Sequence, residues 1–197
     1  MPEAAATQGC PEFLLQAACE LMAEHGYGAM SMRQLASRVG LQPGSLYHHV
    51  TSKQDLLFDV LLHILAQRLE AWQRAPYPRD LHGYLGFRLA RQRSHPCEEL
   101  LLRHEARHVS ASQQAWLGQA LDRLQAPLRH AIEQGQRRGE YLVQDIASTL
   151  AAIQALIETA DSLRNRPIPV DEAWIAAWLS RMCSALLRSA AVPVTRL

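Results

Sequence analysis

The sequence is poor in cysteine and has no long hydrophobic run. Its 197 residues include four cysteines, Cys10, Cys19, Cys97 and Cys183, none spaced as a C-x-x-C pair. Because no signal peptide precedes them, we expect neither a disulfide framework nor a structural zinc site. No apolar run reaches the ~20 residues that a membrane-spanning helix needs, so we expect a cytoplasmic protein. A redox-sensing role for one of these thiols remains an alternative.

The chain also lacks a strong excess of either charge. Its formal net charge is +1, 48% of its residues are hydrophobic and 20% are charged. This balance is typical of a globular protein and argues against a non-specific nucleic-acid binder. Residues 31–53 differ, because they contain three cations, Arg33, Arg38 and Lys53, and no acid. A local cationic face of this kind suits contacts with phosphates.

The same segment carries the local signals of two short helices joined by a turn. Ser31 and Gln34 have the spacing of a capping box, which predicts that a helix begins there. Gly40 stands where the end of a helix favours a left-handed residue, and Pro43 suits the first position of a following helix. With the apolar Leu46 as an anchor on the second helix, the pattern is that of a helix-turn-helix.

A longer stretch, residues 11–60, resembles the amino-terminal domain of the TetR family of transcriptional regulators. The resemblance rests on Gly26-Tyr27 after the first helix, on residues 44–48 (GSLYH), and on Ser52-Lys53 before a long fourth helix. It implies an all-helical homodimer whose variable carboxy-terminal domain binds a small molecule and controls release from DNA. The chain departs from the family in lacking a basic amino-terminal arm and in having Val50 where Phe is usual.

The resemblance and the residue chemistry together give a set of candidate DNA contacts. Tyr47 and Lys53 resemble the family's phosphate anchors, and Lys53 lies near the start of a helix, where N–H groups point outward. Arg favours guanine edges and Gln favours adenine edges, so Arg33 and Gln42 are candidates for base contacts. Packing of Tyr47 between the first and third helices is the alternative. The predicted DNA-binding residues are Ser31, Arg33, Gln42, Pro43, Gly44, Ser45, Tyr47, His48 and Lys53.

Beyond the helix-turn-helix, apolar residues recur at the helical period. We expect helices over about residues 53–73, 81–93, 112–138, 144–164 and 171–190. Pro127 should kink or divide the third of these. The predicted fold is all-α, with an amino-terminal three-helix helix-turn-helix domain plus a carboxy-terminal helical bundle, about nine helices in all. The predicted domains are a flexible arm (1–10), the DNA-binding domain (11–57), an effector-binding and dimerisation domain (58–190) and a flexible tail (191–197).

The last two predicted helices are apolar on more than one side. Such helices must bury more than one face, either at the centre of a monomeric bundle or against a second subunit. The resemblance favours the second arrangement, a four-helix bundle between two copies of the chain. The predicted interface residues are Ile153, Ile157, Trp174, Trp178, Met182 and Leu186.

The resemblance also implies an effector pocket among the middle helices, largely apolar with a few polar groups. The predicted lining is Tyr84, Phe87, His104, Glu105, His108, Trp116 and Asp161. Acidic residues in this region could pair with a cationic ligand and arginines with an anionic one, so the charge of the effector stays open.

His104 to His108 also match H-E-x-x-H, the zinc-peptidase motif. On a continuous helix the two histidines would share a face, which leaves a zinc hydrolase or a metal-sensing regulator as alternatives. Two neighbouring arginines and the lack of a following third ligand favour a polar helix face instead. We therefore predict no catalytic residue, no metal and no cofactor. The predicted function is that of a ligand-responsive repressor that binds a pseudo-palindromic operator as a homodimer.

Overall fold

The computed structural model describes residues 10–164, 166–168 and 170–188. Almost all of the predicted arm and the whole of the predicted tail therefore lie outside the described residues. Within the described part of the chain every regular element is helical, which confirms the all-α prediction. Among the described residues, no helix is both long enough and apolar enough to cross a membrane.

Nine α-helices follow one another along the described residues. They are α1 (Glu12–Ala29), α2 (Met32–Arg38), α3 (Pro43–Leu46), α4 (Lys53–Arg74), α5 (Leu81–Ser94), α6 (Pro96–His104), α7 (Ala111–Arg137), α8 (Ile146–Arg164) and α9 (Glu172–Arg188). A single 3₁₀ turn, Ala106–His108, lies between α6 and α7. The helices predicted from periodicity begin and end close to these limits, because Pro and Gly mark several of their ends.

Pro127 was predicted to kink or divide a helix, and the division is wrong, since α7 runs from Ala111 to Arg137 with the proline inside it. Proline removes one backbone hydrogen bond and crowds the preceding turn. Here the turn on each side of it is held by burial, because Leu124 and Leu128 are only 6% and 1% exposed. The end of α7 is set instead by Gly139, whose φ of 73° lies in the left-handed region.

The described chain forms two compact units. The first contains the residues up to Glu70 and His95–Leu121, and the second contains Ala71–Ser94 and the residues from Asp122 onward. The core of the first unit includes Leu14, Ala18, Met22, Leu35, Ala36, Leu46, Leu56, Leu57, Leu61 and Leu101. The core of the second is built from α5, α8 and α9 with the end of α4, and it includes Trp72, Tyr84, Phe87, Ile153, Ile157, Ile175, Leu179 and Cys183.

Candidate nucleic-acid interface

The start of α2 is fixed by the capping box that the sequence predicts. The Ser31 backbone N–H donates to Gln34 Oε1 at 2.7 Å, and the Gln34 backbone N–H donates to Ser31 Oγ at 3.2 Å. Two N–H groups that the helix cannot satisfy internally are thereby paired. The cap sets the direction in which α2 leaves the preceding chain.

The end of α2 is fixed by Gly40, whose φ is 68°. The Leu41 N–H donates to the Ala36 carbonyl at 2.9 Å and the Gly40 N–H donates to the Ser37 carbonyl at 3.3 Å. This pair of bonds is the Schellman arrangement, which needs a residue that tolerates positive φ. The turn between the two helices is therefore dictated by the glycine.

Helix α3 is short and is held in place by buried apolar side chains. Pro43 occupies its first turn, as predicted, and Leu46 is fully buried. Val50, which departs from the family pattern, is also buried, with 3% of its surface exposed. A four-residue helix has too few internal hydrogen bonds to hold itself, so these two apolar anchors fix its position.

Most predicted DNA contacts lie on the surface. Ser31, Arg33, Gln42, Pro43, Gly44, Tyr47 and His48 are exposed, and Ser45 and Lys53 are half-buried. Tyr47 has 56% of its surface exposed, so the structure does not bury its ring between α1 and α3. The side chains that could read bases and phosphates therefore share one continuous, solvent-facing segment. Their contacts with DNA remain predictions.

Lys53, the first residue of α4, is held in place by the end of α1. Its Nζ donates to the Gly28 carbonyl at 3.1 Å and lies 4.5 Å from the centre of the Tyr27 ring. A lysine over an aromatic face is attracted by the ring quadrupole. These contacts position a cation beside the outward-pointing N–H groups of the α4 start, an arrangement suited to a phosphate.

Arg38 has a different role from the other two cations of this segment. Its guanidinium binds Glu24 through two bonds, Nη1 to Oε1 at 3.2 Å and Nη2 to Oε2 at 2.7 Å, and lies 3.7 Å from Glu20. The hydrogen bonds from Arg38 lower the pKa of Glu24. The sequence analysis counted Arg38 with the cations of a phosphate-binding face and missed this ion pair between α1 and α2. Because its charge is balanced, Arg38 adds little to a phosphate-binding face.

The H-E-x-x-H segment does not form the helix that zinc chemistry would need. Helix α6 ends at His104, Glu105 caps it, and residues 106–108 form the 3₁₀ turn. The two histidines therefore do not share a face at helical spacing. The described residues contain no group of three side chains suited to a metal ion.

Glu105 and His108 instead support the last turn of α1, at Tyr27. Glu105 is only 8% exposed and its Oε1 accepts a 3.3 Å bond from the Tyr27 N–H. The His108 ring stacks on Tyr27 with centroids 5.1 Å apart, and its Nε2 is 3.4 Å from Glu105 Oε2. The Gln54 side chain donates to the His108 carbonyl at 2.7 Å. The segment thus positions Tyr27, on whose ring Lys53 lies.

The seven predicted pocket residues are divided between the two units, and their binding of an effector stays a prediction. His104, Glu105, His108 and Trp116 belong to the first unit, and Tyr84, Phe87 and Asp161 belong to the second. Tyr84 and Phe87 are 2% and 5% exposed and meet Trp72 edge-on, with ring centroids 5.4 and 5.3 Å away. They are core residues, because the chain itself buries their apolar surface. Trp116, at 64% exposure, lies on the surface.

The second unit contains a buried polar network that sequence reasoning missed. Arg88 and Gln92 are each 2% exposed. Arg88 Nη1 donates to Gln154 Oε1 at 3.1 Å, and Gln92 Nε2 donates to the Ile157 carbonyl at 3.0 Å. Gln92 Oε1 is buried with no hydrogen-bond partner among the described residues. The available signal was their spacing: Tyr84, Arg88 and Gln92 recur every fourth residue on the buried side of α5.

The outer face of α8 and α9 carries an apolar groove of about 580 Å³. It is lined by Ala152, Ala155, Leu156, Thr159, Met182, Ala185 and Leu186. Trp174, 46% exposed, extends this surface and lies parallel to Trp178 at 6.4 Å. Of the predicted interface residues, Ile153 and Ile157 are fully buried in the chain's own core, because they face α5 and α9 rather than solvent. The remaining four lie along this outer face.

Comparison with known proteins locates the similarity first in the amino-terminal segment. Residues 14–60 match the family described as "Bacterial regulatory proteins, tetR family". The repressor KstR2 of Mycolicibacterium smegmatis is 40% identical over 52 residues, 26% of this chain and 25% of that protein. The regulator UidR of Escherichia coli is 37% identical over 49 residues, 25% of each. The matched segment thus spans about a quarter of the length of these relatives.

Solved structures share the fold over nearly the whole chain. A tetR-family regulatory protein from Rhodococcus RHA1 superposes with a TM-score of 0.76 at 22% identity, covering 97% of this chain and 100% of that one. AibR, solved with isovaleryl coenzyme A and operator DNA, gives 0.72 at 19% identity over 89% and 96%. FadR from Bacillus subtilis, solved with stearoyl-CoA, gives 0.71 at 16% identity over 88% and 96%. At these identities the likeness concerns the fold.

Proposed function

We propose that the chain, whose residues 14–60 match the tetR family of bacterial regulatory proteins, is a member of that family and a ligand-responsive transcriptional repressor. The observation that supports this most is the α2–turn–α3 element. Its cap, turn and apolar anchors are built into the fold while Gln42, Tyr47 and His48 face solvent. We take residues 11–57 as the DNA-binding domain and 58–190 as the effector-binding and dimerisation domain.

In this proposal each α3 lies in a major groove. Gln42 and His48 face base edges, and Arg33 reaches an edge or phosphate from α2. Tyr47 and Lys53 contact backbone phosphates on either side, Lys53 from the position that Tyr27 and the Gly28 carbonyl give it. Base contacts give the specificity, and phosphate contacts give the register.

A dimer would place two such elements on a pseudo-palindromic operator, one duplex turn of ~34–36 Å apart. The surface proposed for dimerisation is the outer face of α8 and α9, with Trp174, Trp178, Met182 and Leu186. Large exposed apolar side chains beside a groove of small residues allow two helix pairs to approach closely and form a four-helix bundle.

The effector is proposed to bind in the second unit, near the buried Arg88–Gln92 network. A ligand with a hydrogen-bond donor would pair with Gln92 Oε1, and the positive charge of Arg88 would favour an anionic ligand. Two neighbours of the same fold were solved with acyl-CoA thioesters, so these are the first compounds to screen. A ~100-fold loss of operator affinity requires ~2.7 kcal/mol of coupling, within the range of measured allosteric coupling.

The deciding experiment is selection of genomic DNA fragments by the purified chain, with Lys53→Met in parallel. Methionine retains an apolar stem over Tyr27 and removes the charge. Recovery of a short inverted repeat by the wild type, with weak recovery by the variant, would establish a dimeric sequence-specific regulator. If the wild type enriches no motif at low salt, the proposed function is wrong.

A further inference from the structure

Two cysteines far apart in sequence meet inside the first unit. Cys19 on α1 and Cys97 on α6 are separated by 78 positions, yet their Sγ atoms are 3.8 Å apart. Cys19 is buried, with 6% of its surface exposed, whereas Cys97 is half-buried. A buried thiol next to an accessible one is the arrangement of a resolving and a reacting cysteine.

The two thiols differ in acidity. The pKa of Cys97 is lowered to about 7, first because the Cys19 thiol donates to its sulfur and then because N–H groups at the start of α6 favour the thiolate, against burial and the nearby Glu98. The pKa of Cys19 is raised by the same hydrogen bond and by burial. Burial raises the pKa of Cys10 to about 11 and of Cys183 to about 12. Of the four cysteines, Cys97 therefore has the largest thiolate fraction at neutral pH.

We propose that Cys19 and Cys97 are a reversible disulfide site that hydroperoxides oxidise. The Cys97 thiolate attacks a peroxide oxygen, breaks the O–O bond and becomes a sulfenic acid, while the leaving alkoxide or hydroxide takes a proton. The Cys19 sulfur then attacks the Cys97 sulfur and expels water. The pair loses two electrons, the peroxide gains them, and a dithiol reductant reverses the change.

Closing the bond has a mechanical consequence. A disulfide needs an S–S distance of about 2.05 Å, so the two sulfurs must approach by about 1.8 Å. Helix α6 resists this movement, because Glu98 and Glu99 bind the buried Arg68 of α4 at 2.8 and 2.9 Å. We therefore expect oxidation to draw α1 toward α6, and with it Tyr27 and the Gly28 carbonyl that hold Lys53 of α4. Since α1 and α4 hold Tyr27 and Lys53, oxidation lowers DNA affinity; this last step rests on the proposed function.

The chemical test uses the full chain and hydrogen peroxide. After oxidation, alkylation and digestion, mass spectrometry should find a Cys19–Cys97 linked peptide, lost on reduction with dithiothreitol. In Cys19→Ser, dimedone should label Cys97 as the trapped sulfenic acid, and Cys183→Ser should behave as the wild type. Absence of the linked peptide, or equal oxidation of Cys10 and Cys183, would overturn the site.

The regulatory test measures binding to the selected operator before and after oxidation. Wild type should lose affinity about tenfold, ~1.4 kcal/mol, and regain it on reduction, while Cys97→Ser should not respond to peroxide. A linked peptide with unchanged affinity would overturn the regulatory consequence and leave the disulfide site standing. If the reduced wild type binds no DNA at all, the proposed function fails, and the peptide map still decides on the disulfide.

Discussion

The side chain of Ser31 fixes the start of α2. It pairs with Gln34 in both directions, and its loss would leave an N–H of the first turn of α2 without a partner. We expect Ser31→Ala to lower the free energy of unfolding by about 1 kcal/mol. Urea unfolding of the variant measures this, with the exposed Ser37→Ala in the same helix as control. Equal stability of the two variants would contradict the cap.

Gly40 is constrained by its backbone rather than by its neighbours. Apart from the glycine and its two chain neighbours, no atom of the described residues lies within 4 Å of the position a Cβ would take, so only the φ of +68° penalises a side chain. Gly40→Ala should lower the free energy of unfolding by about 1 kcal/mol or more. Gly118→Ala, in the interior of α7 with equally open space, should raise it by up to about 1 kcal/mol. A stabilising Gly40→Ala would show that the turn can relax.

Cys97 should react at a pH that reflects its environment. Because its pKa is lowered from 9.0 to about 7, the thiolate fraction and the iodoacetamide rate should rise as pH increases through about 7. In Cys19→Ala, which removes the thiol that donates to the Cys97 sulfur, the midpoint should move upward. Alkylation followed by mass spectrometry gives both curves. A wild-type midpoint near 9 would show that the thiolate is not stabilised.

At the scale of elements, local sequence signals predicted where helices begin and end, but not which helices pack against each other. The cap at Ser31, the turn at Gly40 and the start at Pro43 were predictable because each depends on residues within one helical turn. The Cys19–Cys97 contact, the Arg38–Glu24 ion pair and burial of Arg88 were not. These depend on which helix faces meet, and a single sequence gives no information on that. The polar helix face expected for residues 104–108 was also wrong, because α6 ends at His104, inside the motif.

The contact between α1 and the start of α4 gives a prediction for DNA binding. Lys53→Met should weaken operator binding by a similar factor for all sequences and reduce the salt dependence by about one counterion per protomer. Arg38→Gln removes a cation of the same segment whose charge Glu24 already balances, so it should change both quantities less. Operator titrations of the two variants at several salt concentrations measure both the affinity and its salt dependence. Equal effects would show that the bulk charge of the segment matters, and not the position of Lys53.

At the scale of the whole molecule, the prediction concerns assembly. A double change, Trp174→Glu with Met182→Glu, puts charges on two exposed apolar positions of the α8–α9 face. If this face is the dimer interface, burying two uncompensated charges should produce a monomer in light scattering. Trp116→Glu, a change of the same type at an exposed residue of the other unit, should leave the mass unchanged. A dimeric double variant would place the interface elsewhere.

Lys53 has one further property, visible only when the whole sequence is read: it is the sole lysine of the chain. Every other basic side chain that stays charged is an arginine, so reagents that modify side-chain amines have a single target. That amine lies 3.1 Å from the Gly28 carbonyl and over the Tyr27 ring. A fluorophore attached there, or a protease that cleaves after lysine, would report on one defined point at the end of α1 without engineering of the rest of the protein.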